Sequence, residues 1–191
     1  MKNILFVIMA FSVSTSLFAQ KDAEPTSPDN ETSRIQKKFT CDSVVVDWET
    51  GLFNGKVNPD SPLDSLKKYF PCVSSEFIIG SEERVCGGGV FLEKPGIFFN
   101  TEHQFIEFPS TTAAHFPAQV FGVVEEELTA VTGDPVQITD MQPYADRPMQ
   151  SVYLYAKKYG CLAVWVDQKD KKAFKVQIHN QPPEKAFLCV E

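Results

Sequence analysis

SVYLYAKKYGCLAVWVDQKDKKAFKVQIH, residues 151–179, carries the clearest structural signal in the chain. It divides into three runs rich in β-branched and aromatic residues, Ser151–Ala156, Cys161–Asp167 and Ala173–His179. Tyr159-Gly160 and Gln168–Lys172 supply the breaks. Such side chains fit a pleated, half-buried surface, and short polar breaks join antiparallel neighbours, so the pattern predicts a three-stranded meander. Successive residues of a strand point to opposite faces. Leu162, Val164 and Val166, with Val152, Leu154 and Ala156 and with Phe174, Val176 and Ile178, are expected on one face. Tyr153, Tyr155, Trp165, Lys175, Gln177 and His179 are left for the other.

Working outward, Val124, Leu128 and Val131 form a short helical stripe, opened by Glu125-Glu126-Glu127 and closed by Gly133-Asp134-Pro135. Acids in a first turn suit the positive end of the helix dipole. The first half repeats the plan. Asp60-Ser61-Pro62-Leu63-Asp64 reads as a helix start, with Ser61 as N-cap and Pro62 at the first helical position. Leu63, Leu66 and Phe70 share one stripe, and Pro71 stops it. Three short runs follow, Val90–Glu93, Ile97–Asn100 and Phe105–Phe108, the first two separated by Lys94-Pro95-Gly96. Phe91, Glu93, Phe105 and Glu107 should oppose Val90, Leu92, Ile106 and Phe108. Val44–Trp48 reads as a further strand ahead of the first helix. Pro71 and Pro135 lie 64 positions apart, as do Gly96 and Gly160, and Phe53 and Phe116 lie 63 apart. The expectation is an α+β fold of two tandem units, 39–112 and 113–191, each a short helix followed by a three-stranded antiparallel meander packed on it.

Glu125–Leu128 with Gly133-Asp134-Pro135, then Val152–Tyr155, Leu162–Val166 and Val176–Ile178, resemble in their order the tandem units of β-lactamase inhibitory proteins. A single such unit is similar to the small SmpA/OmlA outer-membrane assembly lipoproteins. The likeness covers 120–180 and, more loosely, 53–108. A Gly-Met-Ser/Thr signal ahead of the helix and a lipid-anchor Cys are both absent, so neither lactamase inhibition nor barrel assembly carries over. The resemblance implies only a sheet face that binds proteins.

The N-terminus reads as an export leader. Met1-Lys2-Asn3 is followed by the apolar run Ile4–Phe11 and by Leu17-Phe18-Ala19-Gln20, the charged, apolar, small-residue order of a cleaved signal peptide over 1–19. The apolar run is eight residues long, against the about 20 that span a bilayer. No membrane span is therefore expected after cleavage, and the protein is expected to be periplasmic or secreted. Residues 20–38 are polar, with one large apolar side chain, Ile35, and are expected to form a flexible arm. The chain as a whole is 43% hydrophobic with 16 Phe, enough for a core. The net charge of −7 and the lack of a basic cluster argue against nucleic acid and anionic membrane partners.

Five cysteines follow the leader: Cys41, Cys72, Cys86, Cys161 and Cys189. Disulfides are the default in an exported protein. Cys72–Cys86 is the first-choice pair and Cys161–Cys189 the second. One thiol is left over, and a buried free Cys is its ordinary reading. No Cys-x-x-Cys spacing supports zinc or a redox dithiol, and His103 and His115 lack ligand spacing, so neither metal nor cofactor is expected. Gly87-Gly88-Gly89 precedes a strand rather than a helix, unlike a phosphate loop. Cys161, His179 and Asp167 fall on neighbouring strands and outline a thiol-hydrolase alternative. Nothing in the sequence activates that Cys.

The leading expectation is thus an exported, non-enzymatic binding or inhibitor-like module. It would meet a protein partner through an aromatic sheet face of Tyr153, Tyr155, Trp165, Lys175, Gln177, His179, Phe91 and Phe105. The alternatives are an envelope thiol hydrolase using Cys161 and His179, and a structural subunit of an envelope complex.

Overall fold

A computed structural model describes residues 44–69, 77–78, 86–92, 94–142 and 145–189. All lie in one compact unit spanning Lys38–Glu191. The leader, the arm, Cys41, Cys72, Phe70, Pro71 and Glu93 fall outside the described residues, and with them the Cys72–Cys86 loop and the proline stop.

In chain order the elements begin with β1 (Val46–Asp47), β2 (Leu52–Phe53), α1 (Leu63–Tyr69) and β3 (Phe77–Ile78). The first meander is β4 (Gly89–Leu92), β5 (Ile97–Asn100) and β6 (Phe105–Pro109). After a 3-10 turn at Glu125–Glu127 come α2 (Leu128–Thr132) and β7 (Gln137–Met141). The second meander is β8 (Gln150–Lys157), β9 (Gly160–Asp167) and β10 (Lys172–His179), followed by a 3-10 turn at Pro183–Lys185. β1 and β2 form a small antiparallel pair. The other strands form one eight-stranded sheet, ordered β3-β4-β5-β6-β10-β9-β8-β7.

Two tandem helix-plus-meander units are therefore not what this sequence builds. The last strands of the two meanders, β6 and β10, pair antiparallel over five residues, from Lys175 opposite Pro109 to His179 opposite Phe105. The sheet runs unbroken through that joint, and the fold is mainly β. The helices are too small to be layers: α1 has seven residues and buries Leu66, and α2 has five and buries Leu128. Nor does Ser61 simply cap α1, since its hydroxyl donates to Asn58 Oδ1 at 3.1 Å and accepts from the Asn58 N–H at 2.9 Å. The 64-residue offset does place Gly96 and Gly160 in equivalent hairpins, but Phe53 lies in a strand and Phe116 in irregular chain.

The major core lies on one face of this sheet. Val90, Leu92, Ile97, Phe99, Ile106 and Phe108 of the first meander join Leu162, Val164, Val166, Val176 and Ile178 of the second. Irregular chain and the β1–β2 pair cover them. Phe53 packs edge-on to Phe99 and Phe108 at 5.4 and 5.2 Å, and Phe116 packs on Phe108 at 5.1 Å. Val44, Val46, Trp48 and Val57 are buried in the same cluster. The chain 44–46 is tied to 115 by two backbone bonds, Val46 N–H to the His115 carbonyl at 2.8 Å and His115 N–H to the Val44 carbonyl at 2.7 Å.

A smaller cluster occupies the opposite face: Val152, Leu154, Cys161, Ala163 and Trp165, with Met141, Phe174, Ala186 and Leu188 against them. This overturns part of the expected sorting. Val152 lies opposite Trp165, and Tyr153 opposite Val164. Val152 and Leu154 therefore belong with Trp165, while Tyr153 and Tyr155 turn into the major core. Alternation within a strand assigns two sides, but the register to its neighbour decides which side is which. Phe174 changes face for a second reason, a register shift between Ala173 and Lys175 that inserts one residue into β10. The close approach of the β10 end to the β8–β9 turn requires glycine: Gly160 has φ +148°, and a Cβ there would collide with the His179 carbonyl and the Asn180 backbone.

Candidate functional site

Six of the eight expected contact residues do share a face. Trp165, Lys175, Gln177, His179, Phe105 and Phe91 all lie opposite the major core, joined by Glu107. Tyr153 and Tyr155 do not join them. At the centre of the group, Gln177 is fully engaged. Its Oε1 accepts from Trp165 Nε1–H at 3.0 Å and meets His179 Nε2 at 3.1 Å, and its Nε2 donates to Glu107 Oε2 at 2.6 Å. The amide orientation follows from its neighbours, since indole only donates and carboxylate only accepts. Lys175 Nζ lies 3.4 Å from Glu107 Oε2 and 4.0 Å from the Trp165 ring centroid. The charge pair and the cation–π contact hold each other in place.

This face is not an open platform. On it Trp165 and Gln177 are 0% exposed, His179 1% and Phe105 2%, with Lys175 and Phe91 half-buried; Tyr155 and Tyr153, on the other face, are buried too. The expected aromatic contact surface is interior. Two things seal it: the sheet is wider than either meander alone, and the C-terminal chain folds back across it. Ala186 and Leu188 pack on the Trp165 cluster, and Phe187 stacks on His103 with ring centroids 3.7 Å apart. Cys189 is bonded to Cys86, with Cα atoms 5.4 Å apart. That pairing replaces both expected ones, Cys72–Cys86 and Cys161–Cys189. A cross-link over 103 positions is not legible from spacing.

Cys161 is free and buried. It faces His179 across the β9–β10 ladder, as the thiol-hydrolase alternative requires. The environment then removes the chemistry. Burial pushes the Cys161 thiol up to about 12, and Glu184 adds to the shift. Burial, helped by the Lys175 charge, pulls His179 down to about 3. A nucleophile–base pair needs a thiolate and solvent access; this pair is neutral and closed. Among the described residues His179 Nδ1 has no hydrogen-bond partner. Asp167 instead caps its own turn, accepting from the Lys169 N–H at 2.7 Å.

The open surface is elsewhere. Four large apolar side chains are exposed among the described residues, and three of them cluster around β7: Val136 at 62%, Ile138 at 54% and Met149 at 39%. β7 is the outermost strand of the sheet at this end. Beside it lies a cleft of about 480 Å³ lined by Glu125, Ile138, Asp140, Met149, Ser151, Tyr153 and Gln168. Register explains the lining, because Ile138 lies opposite Tyr153 and Asp140 opposite Ser151, so their side chains share one face. The polar half is pre-ordered. Ser151 Oγ donates to Asp140 Oδ1 at 2.5 Å and accepts from Gln168 Nε2, and the Tyr153 hydroxyl donates to Glu125 Oε1. Burial raises the Tyr153 phenol well above its ordinary value, the Glu125 bond and charge raise it further, and it stays a donor. Lys171 lies 3.4 Å from Glu125 Oε2 at the rim. The cleft thus offers two carboxylates, a fixed hydroxyl network and an apolar lip. β7 was not among the expected strands, although Val136-Gln137-Ile138-Thr139 alternates with period two and follows Pro135.

No family model, no curated protein and no solved structure matches this chain.

Proposed function

We propose that this protein is an exported, non-enzymatic binding module whose contact surface is the β7 edge and its cleft rather than the aromatic sheet face. The observation that carries this reading is the group of exposed apolar side chains at an outermost strand: Ile138 on β7, Val136 just ahead of it, and Met149 just ahead of the neighbouring β8. An outermost strand presents unpaired backbone N–H and C=O groups, and natural sheets normally blunt such edges with charge or proline. Here the edge exposes Ile138, flanked by Val136 and Met149, and sits over a carboxylate-bearing cleft. An extended segment of a partner protein can add to β7 through its backbone and specify itself through alternate side chains. The chemistry selects a segment that alternates apolar residues with Lys or Arg, because Glu125 and Asp140 line the cleft and the chain carries a net charge of −7.

Panning a random-peptide display library on the mature protein tests this. The expected result is enrichment of peptides with alternating apolar and basic residues. Their binding should be lost in Ile138→Asp and weakened in Asp140→Lys. Failure to enrich, or binders indifferent to Ile138→Asp, would remove the reading. A homodimer in sedimentation that Ile138→Asp dissolves would replace the partner with a second copy.

The thiol-hydrolase alternative has only the Cys161–His179 pairing in its favour, with the thiol raised to about 12. No structural observation favours the structural-subunit alternative over the first reading.

A further inference from the structure

We propose that the Cys86–Cys189 disulfide is a redox latch on a C-terminal strap, and that a dithiol reductant opens it to uncover the apolar sheet face carrying Trp165 and Cys161. The strap is residues 181–189. Its path is long for its length. The Pro183–Lys185 turn lies against β8, Phe187 stacks on His103 in the β5–β6 turn, and Cys189 ends on Cys86 ahead of β4. It therefore crosses the face over the joint between the two meanders.

Three features make this segment separable from the sheet. Among the described residues its hydrogen bonds stay local: Lys185 N–H to the Pro182 carbonyl and Ala186 N–H to the Pro183 carbonyl, at 2.9 and 3.4 Å. No ladder holds it. Its own buried side chains are few: Pro183 and Cys189 are buried, and Ala186 and Leu188 are partly buried against the cluster. The sheet below does not depend on it for cohesion, because β8, β9 and β10 are each eight residues long, hydrogen-bonded to one another, and packed on the major core from the opposite side. The covalent bond at its far end is the strongest tie between strap and body. Segments with few buried apolar contacts and no protected backbone bonds open at lower free energy than the core.

The step balances. The reductant's two thiols supply two electrons and two protons. The Cys86–Cys189 bond breaks, each sulfur gains one electron and one proton, and a disulfide forms in the reductant. Releasing the strap uncovers Val152, Leu154, Ala163 and Trp165, an apolar surface that is closed while the bond stands. It also uncovers the Cys161 thiol, which serves as a built-in reporter.

The experiment treats the mature chain under native conditions with and without dithiothreitol. Cys161 alkylation is mapped by peptide mass spectrometry, and amide exchange is followed in 160–167, 172–179 and 181–189. The expected result is a rise of roughly tenfold or more in the Cys161 labelling rate on reduction. Exchange in 181–189 should speed up while 160–167 and 172–179 stay protected. C86S/C189S should show the same pattern without reductant. The proposal is overturned if Cys161 stays as protected as in the oxidised chain. It is equally overturned if the β9 and β10 amides lose protection together with the strap, for then the bond is a staple of the whole fold.

Discussion

The Trp165 face of the second meander and the β7 edge beside it belong to one sheet and end in opposite circumstances. The Trp165 side has aromatic and polar residues in contact-surface proportions, yet Trp165, Gln177 and His179 are sealed under the C-terminal chain. The β7 edge has an unremarked sequence, QITDM, yet presents Ile138, beside Val136 and Met149, to solvent. Composition is therefore a poor guide to which surface meets a partner. What separates the two is coverage. The Trp165 side lies across the middle of the sheet, where a returning segment can cross it, whereas among the described residues β7 has no strand beyond it.

Perturbing the sealed side should cost stability, and perturbing the edge should cost binding. The largest effect is expected for Trp165→Ala. Truncating a fully buried tryptophan costs about 3–5 kcal/mol, and this one also leaves a Gln177 acceptor site empty. Urea denaturation at neutral pH measures it. A loss below about 1 kcal/mol would mean that the face tolerates exposure, as ordinary surface substitutions do.

Next comes acid. His179 has its folded-state value lowered to about 3 from 6.5 by burial and by Lys175. The unfolded chain therefore binds a proton that the folded chain refuses. Stability should be at its full value above about pH 6.5, fall as the pH drops from there toward 3, and level off below. The total is on the order of a few kcal/mol. His179→Gln should flatten that part of the profile, and an unchanged slope in the variant would show that His179 is already charged when folded.

Smaller still is Tyr153→Phe, which removes the hydroxyl held by Glu125 while keeping the ring in the core. About 1 kcal/mol is expected, with weaker capture of basic peptides because Glu125 loses its orienting donor. The smallest stability effect belongs to Ile138→Asp, within about 0.5 kcal/mol in thermal unfolding. At that site the change appears in binding. A larger stability loss there would place Ile138 in the core and remove the contrast between the two regions.

Much of the sheet was legible. The runs at 151–156, 161–167 and 173–179, and those at 90–93, 97–100 and 105–108, are strands within a residue or two, because alternation and turn residues are local properties. The face of Trp165, Lys175, Gln177 and His179 was legible for the same reason. β7 was overlooked although its period-two pattern was present. The short helical stripes around Leu66 and Leu128 suggested packing layers, but five to seven residues bury one side chain each and cannot cover a sheet.

What the sequence determined by itself is the six strands of the two meanders, the breaks between them and the alternation along each strand, all set by backbone sterics and by the neighbours one and two positions away. What only the tertiary structure decided is everything relational. The β6–β10 pairing made one sheet from two meanders, the β8–β9 register sent Tyr153 inward and Val152 to the side of Trp165, and the Cys86–Cys189 bond closed the strap. Each of these joins residues far apart in the chain. Their free energy depends on which surfaces meet, and no window of sequence contains both partners.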